Sequence, residues 1–182
     1  MSEQASVAPR EREAQPSGRR ARLDVVFLLI AGAVVALDQV TKAIVRAKIE
    51  RNDAWPDEDW LLNIVNITNS GAAFGILQGQ TVFLVVTSLV GVAAIVLYYL
   101  SQPMEHGLLR VALGLQLGGA AGNLIDRVRF GEVTDFINFQ FWPAFNVADS
   151  SISIGVATIL WFFLITESER LFGPPGAGKP GD

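Results

Sequence analysis

Four aspartates stand at or near the ends of long apolar runs. Asp38 lies in DQVTK (38–42), Asp126 in GGAAGNLIDR (118–127), Asp135 in GEVTDFI (131–137) and Asp149 in FNVADSSISIG (145–155). A carboxylate beside hydrocarbon is costly, so its presence there points to a use. Two aspartates held close together cannot both ionise easily and share one proton. The ionised member can take a proton from water as the water attacks a peptide carbonyl. The protonated member can polarise that carbonyl and then protonate the leaving amine. The chain offers few rivals for such chemistry. It has no cysteine, which removes thiol nucleophiles, thiolate metal sites and disulfides. Its single histidine, His106, removes multi-histidine zinc sites and makes a Ser-His-Asp triad a poor fit. No metal and no cofactor is expected. A net charge of −4 carries no footprint of nucleic acid.

Each of these residues also has an ordinary structural reading. Asp38 and Lys42 are i and i+4 on one helix face, so they suit a local ion pair as well as a pair that orients a site. NSGAAFG (69–75) reads as a turn, or as backbone able to approach a ligand with Asn69 offering a donor and an acceptor. Gly114, Gly118 and Gly122 recur at steps of four, a smooth stripe for close helix packing, with Gly119 and Asn123 forming a second stripe beside it. That register brings Asn123 and Asp126 to the protein-facing side, where Asp126 suits an ion pair or cap with Arg127. Asp135 is flanked by the aromatics of FINFQFW, which need burial and take the carboxylate with them. Asn146 and Asp149 are three apart, the spacing of an N-cap and its N3 partner. The positive end of the helix favours a charged carboxylate at 149.

The elements that must hold these groups are four apolar segments, spanning about 23–45, 81–100, 107–126 and 149–166. A bilayer-crossing helix needs about 20 residues. AGA (31–33) behind a run of arginines also has the look of a signal-peptide cleavage site. Apolar character continues past it to Leu37, however, and three further spans follow. Residues 1–22 and 167–182 are polar or low in complexity and read as disordered cytoplasmic tails. Arginine and lysine number eight on the side of the termini and five on the other, which predicts both termini in the cytoplasm. The long loops 46–80 and 127–148 then face outward. WLLNIVNIT (60–68) reads as a strand before a turn, and EVTDFINFQFW (132–142) is aromatic and partly alternating. Trp55, Trp60 and Trp142 suit an interfacial belt. The expected fold is an all-α membrane protein of four transmembrane helices with a small β-like extracytoplasmic cap between helices 1 and 2.

DQVTK, NSGAAFGI, GGAAGNLIDR, GEVTDFI and FNVADSSISIG occur in that order, with the apolar spans between them. Over roughly residues 23–166 the chain closely resembles the lipoprotein signal peptidases, the type II signal peptidases of bacteria. The resemblance implies an intramembrane aspartic endopeptidase of the inner (cytoplasmic) membrane. Such an enzyme removes the signal peptide from a diacylglyceryl-modified prolipoprotein, cutting just before the lipid-modified cysteine, and is inhibited by globomycin. It assigns the catalytic pair to Asp135 and Asp149, near the extracytoplasmic face. It assigns binding or supporting roles to Asp38, Lys42, Asn69, Gly71, Asn123, Asp126, Arg127, Asn146 and Ala148. Thr134 departs from the family, where an apolar residue usually precedes the first aspartate. The implied partners are the prolipoprotein substrates and membrane lipid, with no nucleic acid, and the protein is expected to act as a monomer. Other classes make different predictions. An ion-coupled transporter would spread its carboxylates through the bilayer depth. A Ser-Lys hydrolase would pair Lys42 with Ser70 or Ser150, and a membrane scaffold would tolerate loss of every aspartate.

Overall fold

The computed structural model describes residues 17–56, 61–71, 77–101 and 106–172. The described residues form four helices, α1 (Ser17–Lys48), α2 (Thr81–Ser101), α3 (Gly107–Phe130) and α4 (Val147–Phe172), with one pair of strands between α1 and α2 and another between α3 and α4. The strands are β1 (Ala54–Trp55), β2 (Leu62–Asn69), β3 (Val133–Phe139) and β4 (Trp142–Phe145). Each helix contains a stretch long and apolar enough to cross a bilayer: Val25–Lys48, Thr81–Ser101, Gly107–Phe130 and Val147–Thr166.

The burial pattern is inverted relative to a protein that folds in water. The outward faces carry large apolar side chains such as Leu28, Val82, Leu97, Trp161 and Leu164. The fully enclosed side chains include Asp38, Lys42, Asp126 and Asn146. Hydrocarbon is the solvent that such an exterior matches, because lipid leaves backbone polar groups no partner outside the helix.

Helix α3 is the centre of the bundle, with α1, α2 and α4 all packed on it. Its glycines make this possible. A Cβ at Gly118 would sit 2.6 Å from Val34 on α1, and one at Gly114 would sit 3.1 Å from Ile30. A Cβ at Gly119 would collide with the Ala148 carbonyl oxygen and lie 2.8 Å from Ile152, both on α4. The two glycine stripes therefore serve two different neighbours. At the end of the bundle remote from the sheet, Phe27 and Leu113 form a small core, and Phe27 stacks on Tyr99 with ring centroids 4.1 Å apart.

The strands form one antiparallel sheet in the order β1-β2-β3-β4. The cap is thus wider than expected. Only β1 and β2 come from the loop between α1 and α2, while β3 and β4 come from the loop between α3 and α4 and complete the same sheet. Along the β2–β3 pair, Ile64 faces Ile137 and Ile67 faces Asp135, so β2 carries one extra residue beside Asp135. Such a bulge bends a strand locally and re-aims its side chains.

Several bounds differ from the sequence reading. α1 begins at Ser17, so residues 17–22 are helical, and α4 continues to Phe172. α3 runs four residues past Asp126 to Phe130 and ends where Gly131 takes φ of 79°, its N–H returning to the Arg127 carbonyl at 3.0 Å. A left-handed residue at that place is a common helix stop, and glycine adopts it without a Cβ clash. The tail expectations for residues 1–16 and 173–182 lie outside the described residues, as do Trp60 and the 72–75 part of NSGAAFG.

Candidate active site

Asp149 is positioned by the start of α4. Its backbone N–H donates to Asn146 Oδ1 at 2.9 Å, and its Oδ2 accepts the Asn146 backbone N–H at 3.3 Å. This reciprocal cap fixes the carboxylate at the positive end of the helix. Its other oxygen accepts from Asn123 Nδ2 of α3 at 2.8 Å. The cap expected from the spacing of 146 and 149 is therefore present, and it aims Asp149 into a cavity.

Asp135 comes from the middle of β3 and is 3 % exposed. Asn146 Nδ2 donates to its Oδ1 at 2.7 Å, and Asn69 Nδ2, at the end of β2, donates to its Oδ2 at 3.1 Å. Asn146 thus holds both carboxyl groups, one through its side-chain amide and the other through its cap. Burial pushes the Asp135 carboxyl up to about 7, and the neighbouring charge of Asp149 acts in the same direction. The bonds from Asn69 and Asn146 and the charge of Lys42 oppose the rise.

Both carboxyl groups line one cavity of about 660 Å³. Asn69, Asn123 and Arg127 complete its polar end, and Trp142, Phe145, Ile152 and Ile154 supply much of the apolar wall. Arg127 donates to the Gly71 carbonyl at 3.2 Å, and the Gly71 N–H donates to Asn69 Oδ1 at 2.9 Å. The Asn69–Gly71 turn is in this way tied to α3 on one side and, through Asn69, to Asp135 on the other.

Behind the cavity lies an ionic cluster with no exposed surface. Lys42 Nζ reaches Asp38 at 2.9 Å, Asp126 at 3.1 Å and Asn123 Oδ1 at 2.9 Å. Those three acceptors use all three ammonium protons. The carboxylates reach onward to backbone. Asp38 Oδ1 accepts the Ala148 N–H at 3.0 Å, and Asp126 Oδ2 accepts the Thr134 N–H at 3.2 Å. Each of these amides immediately precedes one of the two cavity aspartates. Asp38 and Lys42 are indeed an i, i+4 ion pair, but an enclosed one rather than a solvated helix end. Asp126 pairs with Lys42 rather than with its sequence neighbour Arg127, and it is absent from the cavity wall. Ala148 is fully buried against Gly119 and Gly122.

Gln39 was not among the residues expected here. Its Nε2 lies 3.1 Å from Asp38 Oδ2, from Asp126 Oδ1 and from the Gly122 carbonyl. The signal was its spacing: Gln39 is i−3 from Lys42 and shares its helix face. The apolar wall from β4 and α4 was also missed, because nothing in the sequence shows that Trp142 and Ile152 face the same space.

A sequence model of the Signal peptidase (SPase) II family matches residues 30–165. The lipoprotein signal peptidase of Moorella thermoacetica is 43% identical over 146 residues, covering 79% of this chain and 96% of that protein. The one from Bacillus pumilus is 46% identical over 134 residues, covering 71% and 86%. A solved structure, described as a bacterial membrane enzyme determined by the in meso method at 2.3 Å resolution, superposes with a TM-score of 0.76 at 35% identity. It covers 86% of this chain and 94% of its own. With matches that span nearly the whole of the described bundle and its cap, the chain belongs to the signal peptidase II family.

Proposed function

We propose that the protein is an intramembrane aspartic endopeptidase that removes the signal peptide from diacylglyceryl-modified prolipoproteins, cutting just before the lipid-modified cysteine. The observation that carries this reading is the convergence of Asp135 and Asp149 on one cavity, with Asn146 bonded to both. Asp135 holds the proton and Asp149 carries the charge. Asp149 takes a proton from a water molecule as that water attacks the scissile carbonyl. Asp135 hydrogen-bonds the carbonyl oxygen as it gains charge and keeps its proton there, so the leaving amine takes the proton that Asp149 removed from the water rather than the one on Asp135. Asn69, Asn123 and Asn146 hold the two carboxyl groups in place, and Arg127 offers a cation at the cavity edge for a substrate carbonyl. The ionic cluster of Asp38, Lys42 and Asp126 supports the site from behind.

A Ser-Lys mechanism is disfavoured because two carboxylates and Asn123 already take all three protons of Lys42. A relay through the bilayer is disfavoured because Asp38, Asp126, Asp135 and Asp149 gather at the sheet end of the bundle.

In this reading the protein is a monomeric, multi-pass enzyme of the bacterial inner membrane. Both termini are cytoplasmic, and the sheet lies at the extracytoplasmic face. The excess of arginine and lysine on the side of the termini supports this orientation. The test is cleavage of a diacylglyceryl-modified prolipoprotein by the purified chain in defined lipid. Cleavage by the wild type, its loss in Asp149→Asn and in Asp135→Asn, and block by globomycin are expected. Full activity in either variant removes that carboxylate from the pair.

A further inference from the structure

We propose that Arg46 and Thr134 together act as a positioning clamp for Asp135. The inference rests on the peptidase reading above and adds to it two residues outside the inventory of the site.

Arg46 lies one turn beyond Lys42, at the sheet end of α1. Its guanidinium Cζ sits 4.6 Å from the centroid of the Phe130 ring, at the last residue of α3. Its Nη1 donates to Thr134 Oγ1 at 2.9 Å and lies 3.8 Å from Asp126 Oδ1. A guanidinium is planar, permanently charged and able to stack on an aromatic face while its edge donates. One side chain therefore joins the end of α1, the end of α3 and the residue before Asp135.

Thr134 is held from three directions. Its N–H donates to Asp126 Oδ2, its hydroxyl accepts from Arg46, and its carbonyl lies 3.4 Å from Asn146 Nδ2. It is 4 % exposed, so water does not compete for the hydroxyl. The Arg46 bond fixes the peptide leading into Asp135 against α1. The Asn146 amide fixes the same peptide, and Asp135 itself, against α4. An apolar residue at 134 would keep the backbone bond to Asp126 but give Arg46 no acceptor on β3. The cluster also needs a second cation. Asp38 and Asp126 bring two negative charges and Lys42 one positive charge, and Arg46 approaches from the side that Lys42 does not occupy.

The test compares kcat and KM of Thr134→Val, Thr134→Ser, Arg46→Gln and the Thr134→Val/Arg46→Gln double variant. The full chain in lipid is used, with a diacylglyceryl-modified prolipoprotein as substrate. Thr134→Val keeps shape and loses only the acceptor. A small misplacement of a reacting group lowers turnover steeply, so kcat is expected to fall roughly tenfold with KM unchanged. Thr134→Ser restores the hydroxyl and should recover most of that loss. Arg46→Gln, which also loses the Phe130 contact and the charge beside Asp126, should lose at least as much as Thr134→Val, and the double variant should be no worse than Arg46→Gln alone, as expected for two partners of one interaction. Wild-type turnover in Thr134→Val overturns the clamp, as do losses that multiply in the double variant or a serine variant as impaired as the valine. Failure of the wild-type chain itself to cleave overturns the peptidase reading and the clamp with it. Cleavage by the wild type alongside an unaffected Thr134→Val overturns the clamp alone.

Discussion

Asp135→Asn should remove activity and, above neutral pH, make the protein more stable. The Asp135 carboxyl is raised from 3.8 to about 7, first by burial and then by the charge of Asp149. A carboxyl with a raised folded-state pKa binds its proton more tightly in the folded protein than in the unfolded one. Its favourable contribution is fully present below about 3.8 and is lost as pH rises through about 7. At pH 8 the folded protein holds a charge that its surroundings disfavour, at a cost of about 4 kcal/mol at most. Asparagine carries no such charge.

The gain has an offset. Asp135 presents two acceptors, one to Asn69 Nδ2 and one to Asn146 Nδ2. Asparagine presents one acceptor and one donor, so one of those amides would face another donor. That mismatch costs about 1–3 kcal/mol at every pH. The net expectation is a variant less stable than wild type near pH 4 and more stable, by about 1–3 kcal/mol, near pH 8. The assay is equilibrium unfolding in mixed micelles of both proteins across pH 4 to 8, the difference between them cancelling groups that titrate alike in each. A difference that stays constant over that range refutes the claim that burial holds a proton on Asp135.

Three further outcomes are expected. Turnover should decline as pH rises through about 7, because Asp135 then loses the proton it offers to the substrate carbonyl; a rate that is flat from pH 6 to 8.5 counts against that role. Asn146→Ala removes the 2.7 Å bond to Asp135 and the α4 cap together, and should lower kcat about a hundredfold while costing about 1 kcal/mol of stability, read from progress curves and thermal unfolding. Gly119→Ala should destabilise by about 1–3 kcal/mol and reduce activity by pushing the Ala148 carbonyl away, whereas Gly91→Ala, with nothing within 4 Å of the new Cβ, should be silent in both measurements.

The helices were legible because their signal is local. Apolar run length marks a span whatever its neighbours do, and α2 from Thr81 to Ser101 carries no charge at all. The strand at 62–69 was legible for a similar reason, since branched apolar residues run into the turn at Asn69. Pairing across the sheet was not. β2 meets β3 only after α2 and α3 have intervened, and no local pattern records that Ile67 lies opposite Asp135. The same limit applies to the choice between Asp126 and Asp135 as neighbour of Asp149. Asn123 and Asp126 share the packed side of α3, and Asn123 does reach Asp149. Asp126, three residues on, is instead turned to Lys42 and the Thr134 amide by contacts that exist only once α1 and β3 are in place. Motif resemblance, not geometry read from spacing, singled out Asp135. Gln39 and Arg46 escaped notice because each looks like an ordinary polar residue on α1 until its partners on α3 and β3 are known.

The ionic cluster also bears on how the two aspartates are held in register in a bundle that lipid does little to compress. Between membrane helices the drive to associate comes from close packing and from polar contacts, since lipid tails are as apolar as leucine. Here the glycines of α3 set how near α1 and α4 can approach, and the cluster fixes their rotation and height. A slide of α1 by one turn would move Asp38 about 5 Å along the axis and strip the Ala148 amide of its acceptor. Lys42→Met tests this division of labour. It leaves Asp38 and Asp126 as two enclosed carboxylates without their shared cation, at a cost of about 3–5 kcal/mol. If the cluster only adds stability, activity measured on the folded fraction of Lys42→Met should equal that of wild type. If it sets the register that aims Asp149 and Asp135, specific activity should fall along with stability, and equal specific activity in the two proteins would end that argument.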